Sequence, residues 1–217
     1  MVANPRTPEI ATRITSSEER IEPGQCEIRV AAILQCDVRG FTMLAKSLPA
    51  TDVIQLLTEY EKRLVPVIQR HGGSINKFMG DGIMATFDAV VLTKTYAADA
   101  LRAIDELVKC AADGAAERRA QGQQVLTIIF SAAHGQVVFG AVGDETRLEY
   151  PVIGDPVNLS AKIEKHNKET GTAPLTITAS VEIARGQGFE PGWEIDRLLN
   201  AAIVGVADHV DLVVSAP

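Results

Sequence analysis

The sequence predicts an α+β fold: an antiparallel-rich sheet of the ferredoxin-like or palm type, with helices packed on one face. Three observations predict it. Apolar β-type runs and amphipathic helical runs alternate in the order strand, helix, hairpin, helix, hairpin, helix, strand. Gly80-Asp81-Gly82 joins two apolar runs through a turn too short for anything but an antiparallel hairpin. The hydrophobic fraction, 46% of 217 residues, supplies one sizeable core.

Residues 1–26 are polar, carry Pro5, Pro8 and Pro23, and show no sustained apolar period. They are expected to form a flexible N-terminal segment, leaving 27–217 as one folded domain. Ile28 to Cys36 reads as a buried strand. Ser47 and Pro49 mark a helix start. Val53, Ile54, Leu56, Leu57, Tyr60, Leu64, Val67 and Ile68 then fall on one face at helical spacing, and Gly72-Gly73 closes the run. Pro66 inside that helix is expected to kink it. The Gly-Asp-Gly hairpin follows.

A second helix is expected from about Leu92 to Arg119, with Leu92, Tyr96, Ala100, Leu101, Ile104, Leu107, Val108 and Ala111 as its buried stripe. Val125 to Ser131 and Gln136 to Val142 read as two strands joined by a turn at His134-Gly135. Leu148 to Ile153 reads as a further strand. Gly154-Asp155-Pro156 opens a third helix, with Asp155 as cap and Pro156 in the first turn. Pro174 to Thr178 is a strand. After Ser180 the pattern weakens, until 202–205 and 210–215 suggest a final pair.

The bulk numbers exclude several classes. No stretch approaches the ~20 uninterrupted apolar residues of a membrane span, and the first residues lack a secretory pattern. The three cysteines are scattered, which fits a reducing, cytoplasmic setting and no disulfide framework. A net charge of −7 disfavours a nucleic-acid backbone as partner. A nucleotide held through metal ions remains compatible, because the metal brings the positive charge. The four histidines show no ligand spacing.

The residues with chemistry lie at strand ends. Asp37 ends the first strand and Asp81 sits at the hairpin tip. Taken singly, each is an ordinary cap or turn acid. If the two strands pair, the carboxylates converge and repel unless a cation separates them. Mg²⁺ takes one or two carboxylates and completes its shell with water and phosphate oxygens. Lys77 precedes Asp81 by four residues, on the same face if the strand is regular. It is either a solvated lysine or a donor to a base or phosphate. Gly40, Phe41 and Thr42 follow Asp37, where backbone N–H groups at a helix start can meet phosphate oxygens. Asn158 and Lys162 share a helix face, and their composition alone marks an ordinary exposed surface.

Together, Cys36-Asp-Val-Arg-Gly-Phe-Thr42, His71-Gly-Gly-Ser-Ile-Asn-Lys-Phe-Met-Gly-Asp-Gly82 and the stretch from Glu149 to Glu164 resemble the class III nucleotidyl cyclase catalytic domain, the adenylyl and guanylyl cyclase family. The resemblance implies an adenylate cyclase converting ATP to 3′,5′-cyclic AMP and pyrophosphate, with two Mg²⁺ or Mn²⁺ ions per site. It implies that Asp37, Asp81 and the Val38 carbonyl bind metal, and that Lys77 and position 151 select the base. Asn158 would orient the ribose, and position 162 would meet the phosphates. It also implies a homodimer whose sites are shared between chains.

Two positions depart from the family pattern. Lys162 stands where an arginine is usual, and lysine lacks the bidentate fork. Pro151 stands where Asp or Thr is usual, with neither side-chain hydrogen bond nor N–H to offer. ATP is therefore the expected substrate with GTP as alternative. A catalytically degenerate module for dimerisation or nucleotide sensing is the competing reading.

Overall fold

A computed structural model describes residues 24–90, 92–143, 148–170, 175–191 and 195–215. The N-terminal segment expected to be flexible lies almost wholly outside the described residues. The order is β1 (Cys26–Val38), α1 (Phe41–Ser47), α2 (Ala50–Arg70), β2 (Ser74–Met79), β3 (Gly82–Phe87), α3 (Tyr96–Ala120) and β4 (Ile128–Gly140). Then come β5 (Val142–Gly143), β6 (Leu148–Glu149), β7 (Val152–Ile153), α4 (Asp155–Thr170), β8 (Leu175–Ile177), α5 (Thr178–Gly186), β9 (Ile195–Ala201) and β10 (Val210–Ser215). The α+β class and the palm-like, antiparallel-rich sheet are as the sequence predicts, whereas the helices, expected on one face, lie on both, with α4 opposite α2 and α3.

The main sheet runs β2-β3-β1-β4-β8-β10-β9, with β7 also pairing β4. Every pairing is antiparallel except β4 with β8. Side chains alternate across β1, and that alternation separates two cores. Ala32, Leu34, Cys36 and Val38 join Tyr60, Leu64, Val67 and Ile68 of α2, Leu101, Ile104 and Leu107 of α3, and Val181 and Ala184 of α5. Leu64, Ile68 and Leu107 are fully buried, each stabilising the fold by about 1.5–3 kcal/mol. Ala31 and Ile33 face the other way, toward Met84, Val137, Phe139 and Val152. On this second side α4 covers β1 and β4 through Ile163, which packs with Ala133 and Leu212. Gln35 and Asp37 share the parity of Ala31 and Ile33, so both point toward α4.

Several local expectations change. The turn at His134-Gly135 does not exist: β4 runs unbroken through it, paired to β1 over all thirteen of its residues. Glycine serves the strand here in two ways: its φ of 154° is one that L side chains rarely adopt, and a Cβ at 135 would stand 2.8 Å from Pro156 Cγ. The single strand over 148–153 is two short ones, β6 pairing β5 and β7 pairing β4, divided at Tyr150-Pro151. Proline has no N–H for the ladder, so a break there is natural. The last hairpin uses β9 at Ile195–Ala201 in place of 202–205. Helix α2 continues through Pro66 with Ile54 exposed, and α3 starts at Tyr96, so Leu92 lies before it and is exposed rather than on its buried stripe.

Candidate active site

The register of β1 against β3 builds the site. Cys36 pairs with Ile83, so the next residue, Asp37, comes opposite Gly82 and beside Asp81. Met79 pairs with Gly82, leaving Gly80-Asp81 as a two-residue turn. Gly80 has φ of 70°, which the first position of a type II′ hairpin turn requires and glycine provides without a Cβ clash. The acid at the strand end and the acid at the hairpin tip are thereby brought to one place.

Burial is the main perturbation of the Asp37 carboxylate. Burial, then the charges of Glu164 and Asp81, push its pKa up to about 6, against the lowering effect of Lys168. Lys168 Nζ lies 2.8 Å from Asp37 Oδ1 and 2.7 Å from Glu164 Oε1. Asp37 Oδ2 is 3.6 Å from the point where a Cβ on Gly82 would stand, so the missing side chain leaves open space against the carboxylate. Among the described residues no three His, Cys, Asp or Glu side chains form a metal cluster. Two carboxylates and a backbone carbonyl are still a sufficient protein donor set for Mg²⁺, which keeps water and phosphate ligands. Asp37, Asp81 and Val38 therefore fit such an ion.

Gly40, with φ of 74°, starts α1, and Phe41 and Thr42 form its first turn. Their backbone follows Asp37 within five residues and faces the same end of the sheet. Lys77 is exposed on β2, as are Phe78 and Met79. A bulge between Ile75 and Lys77 breaks the regular alternation, so the even spacing from Lys77 to Asp81 does not by itself fix a common face. Pro151 is half-buried, and its carbonyl accepts from the Gly140 N–H at 3.4 Å.

Helix α4 is pinned at its middle and at its end. Gln35 Nε2 donates to Ser160 Oγ at 3.3 Å, and the Ser131 hydroxyl donates to the Ser160 carbonyl at 2.9 Å. Arg39 donates to Asn167 Oδ1 at 2.7 Å and to its carbonyl at 3.0 Å. Glu164 and Lys168 thus lie over Asp37 of their own chain. Asn158 is six residues before Glu164, about 9 Å back along the axis, and it is exposed. The Lys162 ammonium donates to the Gly205 carbonyl. The structure thus unites Asp37 with Asp81 and does not bring Asn158 or Lys162 onto them. Glu164, Lys168 and the Arg39–Asn167 pair were not singled out from the sequence. Their only local signal was an i,i+4 acid–base pair, common on any solvated helix.

A palm-like sheet with two acids at the junction of its central strand and a glycine-turn hairpin is the scaffold of a nucleotidyl cyclase domain. The family model described as adenylate and guanylate cyclase catalytic domain matches residues 26–184, and the chain belongs to that family. An adenylate cyclase of Anabaena cylindrica is 32% identical over 163 residues, covering 75% of this chain and 32% of that protein. Adenylate cyclase 1 of Rhizobium meliloti (strain 1021) is 32% identical over 148 residues, covering 67% of this chain and 22% of that protein. The chain thus spans a third or less of these relatives. The crystal structure of the guanylyl cyclase Cya2 superposes with TM-score 0.76 at 28% identity, covering 88% of this chain and 93% of that one. The adenylyl cyclase CyaB from P. aeruginosa shares the fold, with TM-score 0.73 at 22% identity over 89% of this chain and 96% of that one. No helix among the described residues is long and apolar enough to cross a membrane.

Proposed function

We propose that this domain is an adenylate cyclase, converting ATP to 3′,5′-cyclic AMP and pyrophosphate in a homodimer whose two sites are each shared between chains. The observation that carries the reading is the β1–β3 register, which sets Asp37 beside Asp81. These carboxylates and the Val38 carbonyl would hold two Mg²⁺ or Mn²⁺ ions. Such ions, when bound, lower the pKa of the ribose hydroxyl and neutralise charge on the triphosphate. Backbone N–H groups at Gly40, Phe41 and Thr42 orient the phosphates. The partner chain's Lys77 donates to the adenine edge, with Pro151 at the second base-facing position. From the partner chain, Asn158 fixes the ribose and Lys162 meets charge developing on the phosphates. The ribose 3′-oxygen attacks the α-phosphorus, the bond to the β-phosphate breaks, pyrophosphate leaves, and the hydroxyl proton passes to solvent.

Asn158 lies about 9 Å along α4 from Glu164, the acid that shares Lys168 with Asp37, and that offset supports sharing. The test is conversion of ATP by the purified chain with Mn²⁺ or Mg²⁺, followed as cyclic AMP. Cyclic AMP formation by wild type, lost in Asp37→Asn and Asp81→Asn, is the expected result. Undiminished turnover in either variant sinks the assignment. GTP as substrate is the alternative that the same assay decides.

One observation favours a second reading. Lys162 is engaged by the Gly205 carbonyl of its own chain and lacks the fork of an arginine. A domain that binds nucleotide or dimerises without turnover would follow, and activity gained by Lys162→Arg would locate its cause.

A further inference from the structure

We propose that Lys168 is a built-in counter-cation of Asp37, holding that carboxylate until a divalent ion displaces the ammonium and so setting how tightly the metal loads. The inference rests on Asp37 being a metal ligand, as proposed above. Its basis is geometric. Lys168 lies between two carboxylates from different elements, Asp37 at 2.8 Å and Glu164 at 2.7 Å. Both acids are only 14% exposed, while Lys168 is 36% exposed. An i,i+4 pair on a helix ordinarily turns to solvent and contributes little. This pair is instead turned inward onto a strand end. The placement is fixed by the preceding residue: Asn167 is fully buried and takes two hydrogen bonds from Arg39, two residues beyond Asp37.

The charges that face Asp37 are Asp81 from the hairpin, and Glu164 and Lys168 from α4. Three acids and one ammonium leave an excess of negative charge, which a divalent ion offsets better than a single ammonium does. Lysine suits an exchange of this kind. Its point charge rides on a flexible four-carbon stem, so it can withdraw from Asp37 while keeping Glu164. Metal binding then has to break one ion pair, and the site is weaker toward free metal than its carboxylates alone would make it.

The test is titration of the 217-residue chain with Mn²⁺ alone at pH 8, reading free Mn²⁺ by electron paramagnetic resonance. Wild type is compared with Lys168→Gln, Lys168→Arg, Lys165→Gln and Asp37→Asn. Lys165 is exposed on the same helix, so its glutamine variant carries the same change in net charge. The expected result is about five- to tenfold tighter binding in Lys168→Gln. Lys165→Gln should stay within about twofold of wild type, and Lys168→Arg should restore weak binding. Lys168→Met gives the same reading if glutamine perturbs folding. Unchanged or weaker binding in Lys168→Gln, with Asp37→Asn abolishing it, overturns the role of Lys168 and spares the metal site. Equal tightening in Lys165→Gln overturns it as a general charge effect. Binding by Asp37→Asn equal to wild type removes the metal assignment, and this proposal with it.

Discussion

Asp37 lies against the bare backbone of Gly82, its Oδ2 3.6 Å from where a Cβ would be. That distance is ordinary van der Waals contact, and Gly82 does not occupy the left-handed region. Gly82→Ala should therefore fold, with a melting temperature within about 4 °C of wild type. The methyl group would nevertheless fill the space beside the carboxylate. Cyclase activity should fall roughly tenfold through a higher metal requirement, because the methyl would take space that an ion held by Asp37 needs for its water ligands. Thermal melts with activity measured against Mn²⁺ concentration check this; full activity at wild-type metal demand would refute it.

A second prediction concerns pH. Burial holds the Asp37 pKa at about 6, above the ordinary carboxylate value. The folded chain therefore binds this proton more tightly than the unfolded chain does. Its stabilising contribution is present below the unfolded value of 3.8 and is lost as pH rises to about 6. Asp37→Asn carries no such proton. The stability of wild type minus that of Asp37→Asn should fall between pH 4 and 6, then level off. After allowance for solvent screening the change is on the order of 1 kcal/mol. Urea unfolding across this range without metal is the measurement, and a difference independent of pH would contradict the cause assigned.

These two residues also show what the sequence made legible. The β3 run, the glycine turn and the strand ending in Asp37 are local patterns, so their meeting could be anticipated. The long β4 could not, because Gly135 signals a turn while inside the strand it serves a positive φ and the close approach of the Pro156 ring, twenty-one residues away. The role of α4 was hidden in the same way. Glu164 and Lys168 resemble a surface pair until topology lays that helix over the side of β1 that carries Asp37. The β2 bulge likewise overrode the alternation that tied Lys77 to Asp81. Short-range chemistry was readable; contacts set by register and helix placement were not.

Lys77 offers a third prediction. Its side chain is exposed, so Lys77→Ala should change stability by no more than about 0.5 kcal/mol. If it donates to the purine, the loss of a charged hydrogen bond should raise KM for ATP roughly ten- to a hundredfold. Because Pro151 has no donor of its own, preference between ATP and GTP should narrow together with that rise. Steady-state kinetics with both nucleotides decide the matter. An unchanged KM and an unchanged preference would make Lys77 a solvated lysine.

The last prediction concerns the partner chain. Asp37 lies at one end of β1, whereas Asn158 is about 9 Å along α4 from Glu164, the acid that shares Lys168 with Asp37. If each site takes its carboxylates from one protomer and its asparagine from the other, inactive chains must complement. Asp37→Asn and Asn158→Ala are each expected to lower activity at least a hundredfold, since each removes an interaction needed in both sites of a homodimer. Mixed in equal amounts and allowed to exchange, they form heterodimers in about half of all pairs. In each heterodimer one site gathers both defects and the other gathers none. Activity should then return to about a quarter of wild type. Complementation at that level requires a shared site, because a site contained in one chain would stay dead in every combination. Recovery no greater than the sum of the separate variants would return Asn158 to the ordinary exposed helix surface its composition suggests.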